Sequence, residues 1–266
     1  MLRRMALGLA AIPLARLAAG CGDNGAGAID GGSGSADGAG SGSSDWATGG
    51  TAAMTDKASY PDPFTTAATS CVLVASTTDG PCTTPTDLSR EDISEAWAGI
   101  PVRFALKVVN AACAPIANAT VKVWSTNLEG IYSGNTPNPG MCSENNQSYI
   151  GMNFMRGVRT TDSEGVVYFD TCFPGWYSGR AIHIHFQVKN GNTSYRVSQL
   201  FFPETVTQGI FANHVDYRGF GQPNTTFAND NIIAPITGDA RNRLVLDVAR
   251  MTDGAMLASK VVTVMA

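Results

Sequence analysis

An all-β fold, a β-sandwich of mixed sheets with long loops and little helix, is the class this sequence predicts, and three observations carry it. Segments 102–109, 119–124, 166–169, 181–188, 196–202, 244–248 and 258–264 alternate or run apolar and are rich in β-branched residues. Clusters of turn-forming residues at 135–140, 162–165, 190–192 and 219–224 separate them. The charged fraction is only 15%, against 29 glycines and 13 prolines, a balance that suits a turn-rich β-protein better than a helical one. Only 89–98 reads as a helix, a short one with Ser89 as its cap. No internal repeat is present. The loop 132–154 is long, polar and glycine-containing, the kind of connection that often carries function.

Residues 1–21 read as an export segment. Arg3 and Arg4 form a basic start, residues 5–14 are apolar and small, and Ala18-Ala19-Gly20 precede Cys21. The apolar run is too short for a membrane span and is interrupted by Pro13 and Arg16. Two processing routes stand open. Cys21 is a candidate for the lipid-modified residue of a bacterial lipoprotein, although Leu17 sits one place early for that motif; ordinary signal cleavage is the other. The paired arginines also resemble a twin-arginine signal. Residues 22–65 are expected to be a disordered tether: up to Ser59 the chain is mainly Gly, Ser, Ala and Asp, with Trp46 and Met54 almost its only large apolar residues. Residues 66–266 suit one domain. The expected location is outside the cytoplasm, tethered to the cell envelope or secreted.

Net charge is −4 and no Lys/Arg cluster appears, which argues against a nucleic-acid partner. In an exported protein Cys71, Cys82, Cys113, Cys142 and Cys172 are expected to form disulfides. Five is odd, so one thiol is left over if Cys21 carries lipid and no bridge is intermolecular. Cys71 and Cys82 bracket a short segment that a bridge between them would close, but spacing assigns no connectivity. No Cys-x-x-Cys pair exists, so a structural zinc site is not expected.

The chemistry concentrates in residues 174–186. The chain has three histidines, and His183 and His185 lie here one residue apart. On a strand they point the same way, while Ile182, Ile184 and Phe186 point into packing. Two imidazoles on one strand make a pair of metal ligands. No carboxylate lies in the motif, but Tyr177 precedes it after a Pro-Gly turn. A second tyrosine, Tyr132, follows the strand ending at Trp124. Phenolate oxygen is a hard anionic donor that matches Fe(III) better than Zn(II) or Cu(I).

Taken in order, Trp124 through Tyr132-Ser133, Arg156-Gly157, Thr161-Asp162 with Gly165, Pro174-Gly175-Trp176-Tyr177, Arg180-x-x-His183-x-His185-Phe186 and Gln199 through Pro203 resemble the intradiol ring-cleavage dioxygenases. Cys113-Ala114-Pro115-Ile116 and the tight Tyr-Ser-Gly-Arg spacing resemble the secreted single-chain branch. The resemblance implies a non-haem Fe(III) held by Tyr132, Tyr177, His183 and His185. It implies a catechol-type substrate that displaces Tyr177, and O2 as co-substrate. The ring would open between its two hydroxylated carbons to a muconate-type dicarboxylic acid. Arg180 would stabilise negative charge on the substrate ring, and Gln199 would donate a hydrogen bond nearby. Family members commonly pair through an N-terminal helical segment that the glycine-rich stretch replaces, which leaves the oligomeric state open.

Each residue alone has a plainer reading. A lone His-x-His is often structural; Tyr132 alone would anchor a loop, Arg180 would be a surface charge, and Gln199 an ordinary strand residue. His214 matches no ligand position and reads as a loop residue. Trp124 and Trp176 read as core aromatics, and Cys172 as bridged or buried. Two other functions compete. A cupin-type dioxygenase also uses His-x-His but needs a Glu soon after, and none occurs from Phe186 to Gly191. A non-catalytic surface lipoprotein that binds aromatics or a protein partner is the alternative from a different class.

Overall fold

The computed structural model describes residues 46–66, 70–191 and 193–265. The export segment, Cys21 and most of the expected tether lie outside the described residues. Among the described residues, eight strands form two four-stranded sheets. One sheet has the order β4-β1-β8-β7, built from β4 (Val166–Cys172), β1 (Pro101–Val109), β8 (Met256–Thr263) and β7 (Asp247–Arg250). Its central β1–β8 pair is parallel and its other pairs are antiparallel. The second sheet, β3-β2-β5-β6, is wholly antiparallel: β3 (Arg156–Thr160), β2 (Thr120–Trp124), β5 (His183–Asn190) and β6 (Thr193–Phe201). The expected mixed pairing thus holds for the first sheet alone.

Both sheets supply one shared core. Phe104, Leu106, Phe169, Met256 and Val262 come from the first, and Val121, Val123, Ile184, Phe186 and Leu200 from the second. This face-to-face burial of period-2 strands makes the sandwich. It also decides the site. With Ile184, Phe186 and Val188 turned inward, the alternating His183 and His185 must face outward on the second sheet.

Three expectations need correction. Segment 89–98 forms no helix. Asp92 Oδ1 instead accepts from the backbone N–H and hydroxyl of Ser94, and Glu95 and Ala96 adopt positive φ. Such local side-chain bonding competes with a helix. The backbone of Ser89 and Asp92 bridges to Val158 and Asp170. The true helix of this length is α3 (Glu204–Asn213), whose buried stripe is only Thr207, Ile210 and Phe211; α1 (Pro139–Cys142) and α2 (Gln147–Gly151) lie in the long loop, and α4 (Gly238–Asn242) follows later.

The end of the expected 22–65 tether is folded. Trp46 packs on the core, the Ala47 N–H bonds to the Gly254 carbonyl, and Lys57 pairs with Asp170 at 2.6 Å. A few anchors outweigh the low-complexity composition. Cysteine connectivity also differs from the closure considered above. Cys71 pairs with Cys113 and Cys82 with Cys142, while Cys172 is a buried free thiol.

Candidate metal centre

Two loops and one strand bring the candidate ligands together. Tyr132 closes a loop built around Asn127, whose side-chain oxygen accepts from the N–H groups of Glu129 and Ile131. The loop carrying Tyr177 packs against it back to back, with the Gly175 N–H donating to the Asn127 carbonyl at 2.8 Å. A Cβ on Gly130 would sit 2.1 Å from the Trp176 carbonyl oxygen, and one on Gly175 would sit 2.2 Å from that of Leu128. Only glycine permits this approach. β5 then delivers the histidines beneath.

The four donor groups converge. His183 Nε2 lies 3.0 Å from His185 Nε2, and Tyr132 Oη lies 3.4 Å from His183 Nε2 and 3.5 Å from Tyr177 Oη. Tyr132, His183 and His185 are each 3% exposed, the two histidines although they lie on the sheet face away from the shared core. Trp124 stacks on His185 with centroids 4.7 Å apart and planes 8° from parallel. The aromatic expected in the core therefore also fixes one imidazole.

The two imidazoles have the protonation a cation needs. His183 Nδ1 lies 2.6 Å from the Ala181 carbonyl, which can only accept, so Nδ1 carries the proton and Nε2 keeps its lone pair. Burial, with help from the Arg180 charge, pushes His183 down to about 3. Burial and the neighbouring His183 hold His185 well below the usual imidazole range. Both rings are thus neutral. Burial also raises Tyr132 and Tyr177, so each phenol keeps its proton until a strong positive charge replaces it. Two neutral imidazoles and two hard oxygen donors fit a trivalent hard ion.

Arg180 and Gln199 lie beside the donors. Gln199 pairs directly opposite His185 across β5–β6 and is fully buried. Its Nε2 donates to the Thr78 carbonyl at 2.9 Å, and its Oε1 accepts from Arg180. The Arg180 Nε–H donates to Asp230 at 2.9 Å. Arg180 is therefore part of the site wall and not a surface charge. His214 stands apart, buried, with Nε2 3.2 Å from the Trp46 carbonyl. The Cys172 thiol, pushed up to about 12 by burial, is no nucleophile.

Three supporting groups escaped the sequence reading. Arg156, quoted only as part of an Arg-Gly pair, is wholly buried; it bonds Ser133 Oγ at 3.1 Å, Thr84 Oγ1 at 3.0 Å and the Cys82 carbonyl at 3.1 Å. The Cys142 carbonyl accepts the Tyr132 N–H, so the Cys82–Cys142 bridge also backs that candidate donor. No local pattern marks Asp230, since its partner Arg180 lies 50 residues away.

A family model described as "Dioxygenase" matches residues 81–215, just over half of the chain and containing all four donors. The chain belongs to the intradiol ring-cleavage dioxygenase family. Solved structures agree on the fold. An intradiol ring-cleavage dioxygenase from Tetranychus urticae is similar at 24% identity and TM-score 0.64, covering 73% of this chain and 95% of that one. The dioxygenase domain of a dioxygenase–carbohydrate-binding fusion from a cellulolytic Streptomyces follows at 19% and 0.53, covering 73% and 99%. The 3-chlorocatechol 1,2-dioxygenase of Rhodococcus opacus is similar at 18% and 0.50, covering 71% of each chain. No curated protein sequence matches.

Proposed function

We propose that this dioxygenase is a non-haem Fe(III) enzyme that opens a catechol-type ring between its hydroxylated carbons, using O2 to give a muconate-type dicarboxylic acid. The observation that carries the reading is the convergence of two imidazole nitrogens and two phenol oxygens at 3.0–3.5 Å spacings in a site walled by Arg180. A ferric ion held by Tyr132, Tyr177, His183 and His185 would supply Lewis acidity and a template for substrate.

The side chains divide the remaining work. Tyr132 is the fixed donor, fully desolvated and backed by main-chain bonds. Tyr177 is less buried and lies next to the Arg180 guanidinium, which eases its ionisation. It is the phenol suited to leave and to take a proton from a catechol hydroxyl. Arg180, held in place before substrate arrives, stabilises negative charge that develops on the ring. Gln199 fixes the guanidinium from the opposite side. Two disulfides support an exported location, since such bridges persist in oxidising compartments.

The visible absorption spectrum of iron-loaded protein tests the reading, taken before and after anaerobic addition of catechol. A broad red-brown band that shifts with catechol is expected. Protein that stays colourless after ferric reconstitution overturns it and brings the non-catalytic binding module forward.

A further inference from the structure

Asp230 lies outside the residues matched by the family model, in the connection between α3 and α4. It is fully buried, an expensive position for a carboxylate unless every lone pair has a use. One oxygen accepts from both Arg180 Nε and the Ala181 N–H, each at 2.9 Å; the other accepts from the Ile232 N–H at 2.9 Å. These contacts grip two neighbouring residues that both govern the site. Arg180 carries the guanidinium that reaches Gln199. Ala181 carries the carbonyl that fixes the His183 tautomer. Gln199 is tied in turn to the Thr78 carbonyl, so the polar string runs from one loop through the site wall to another.

We infer that Asp230 is a positioning residue: its carboxylate aims the Arg180 guanidinium across the site and holds the Ala181 carbonyl against His183. The inference rests on the proposed function for its kinetic consequences, but not for its geometry. No hydrogen bond joins Asp230 to the four donors among the described residues; its effect on turnover passes through Arg180, while its hold on Ala181 acts on retention of the ion. A charged hydrogen bond from Nε leaves the terminal nitrogens free to turn toward Gln199 and substrate.

The test uses full-length protein and Asp230→Asn, which keeps the shape but loses the charge. In metal-free wild-type protein the Arg180 Nε–H NMR signal is expected to exchange slowly, and in Asp230→Asn quickly. In iron-loaded protein, kcat for catechol should fall roughly ten- to a hundredfold, the usual cost of removing a group that orients a ligand. KM and anaerobic 4-nitrocatechol affinity should move far less, because Arg180 acts mainly on charge that develops during reaction. In an Arg180→Gln background, Asp230→Asn should change kcat by no more than about twofold, the non-additivity of a residue acting through another.

A variant with lower denaturation midpoint and iron content but unchanged kcat per iron would overturn the proposal, as would additive effects. If Asp230→Asn does not fold, the wild-type NMR measurement decides: an Arg180 Nε–H that exchanges like free arginine sinks the idea. Failure of wild-type protein to take up iron or open catechol would defeat the proposed function alone, since the NMR result stands without metal.

Discussion

The two tyrosine loops are held by different means. The Tyr132 side is built like a foundation: a disulfide, a buried arginine with at least four hydrogen bonds, and an ion pair between Lys122 and Asp87 at 2.7 Å stand behind it. The Tyr177 side is anchored by buried bonds at Gly175, to Asn127 and Thr126, but from Trp176 onward it is held by lighter, exposed bonds. Trp176 Nε1 donates to the Gly221 carbonyl at 3.2 Å, the Gly179 N–H to Asn224 at 3.3 Å, and Asn224 to Ser178 Oγ at 2.9 Å. Bonds open to water contribute little net free energy, whereas buried ones are costly to break. The difference teaches which phenol the fold holds more firmly, and it supports the proposal that Tyr177 is the donor a substrate would displace.

The sharpest way to break this comparison is to remove each hydroxyl. Tyr132→Phe should lose iron and colour together, while Tyr177→Phe should keep iron, show an altered visible band and turn over slowly. Equal iron loss from both, measured by metal analysis, would erase the distinction. Next in size is Arg156→Met. Arg156 Nη1 lies 3.7 Å from Asp87 Oδ1, both side chains buried, and stripping one member from such an ionic cluster typically costs about 3–5 kcal/mol, read from denaturant unfolding. A loss below about 1 kcal/mol, the net value of a single hydrogen bond, would mean that the Tyr132 side does not depend on this anchor.

The strand shared by both loops gives a pH signature. His183 titrates at about 3 in the fold against an ordinary value of 6.5, so the unfolded chain binds the extra proton between those values. Stability of the metal-free protein should therefore be full above about pH 6.5 and fall progressively toward pH 3. Denaturation midpoints across that range should drop more steeply for wild type than for His183→Asn. The smallest effect is expected from Asn224→Ala, under about 1 kcal/mol and without loss of iron. If it released iron as Tyr132→Phe does, the lighter side would be as essential as the heavier one.

How much was legible in advance follows from how local each signal is. The strands could be read because alternation and β-branching act within a few residues, as in β1, β2 and β5. The four candidate ligands were legible from their motifs, and the fold brings all four together. Non-local facts were hidden. The Cys82–Cys142 pairing spans 60 residues, and Asp230 reaches Arg180 only after α3 has turned the chain back. Composition hides the fold of segment 46–65 because it counts residues, whereas Trp46 packs on the core, Lys57 pairs with Glu91 and Asp170, and Tyr60 bonds Asp253. The 89–98 helix failed for a similar reason: Asp92 and Ser94 satisfied the backbone locally before a helix could.

The facing glycines of the two tyrosine loops have a consequence for anyone who would retune this enzyme. Because Gly130 and Gly175 meet main chain to main chain, the gap between the two phenols is written in backbone. Side chains elsewhere on these loops are then free variables: a library that diversifies them while sparing the two glycines can explore new aromatic substrates without moving the reaction centre. A single methyl group at either glycine would be enough to pry the halves apart.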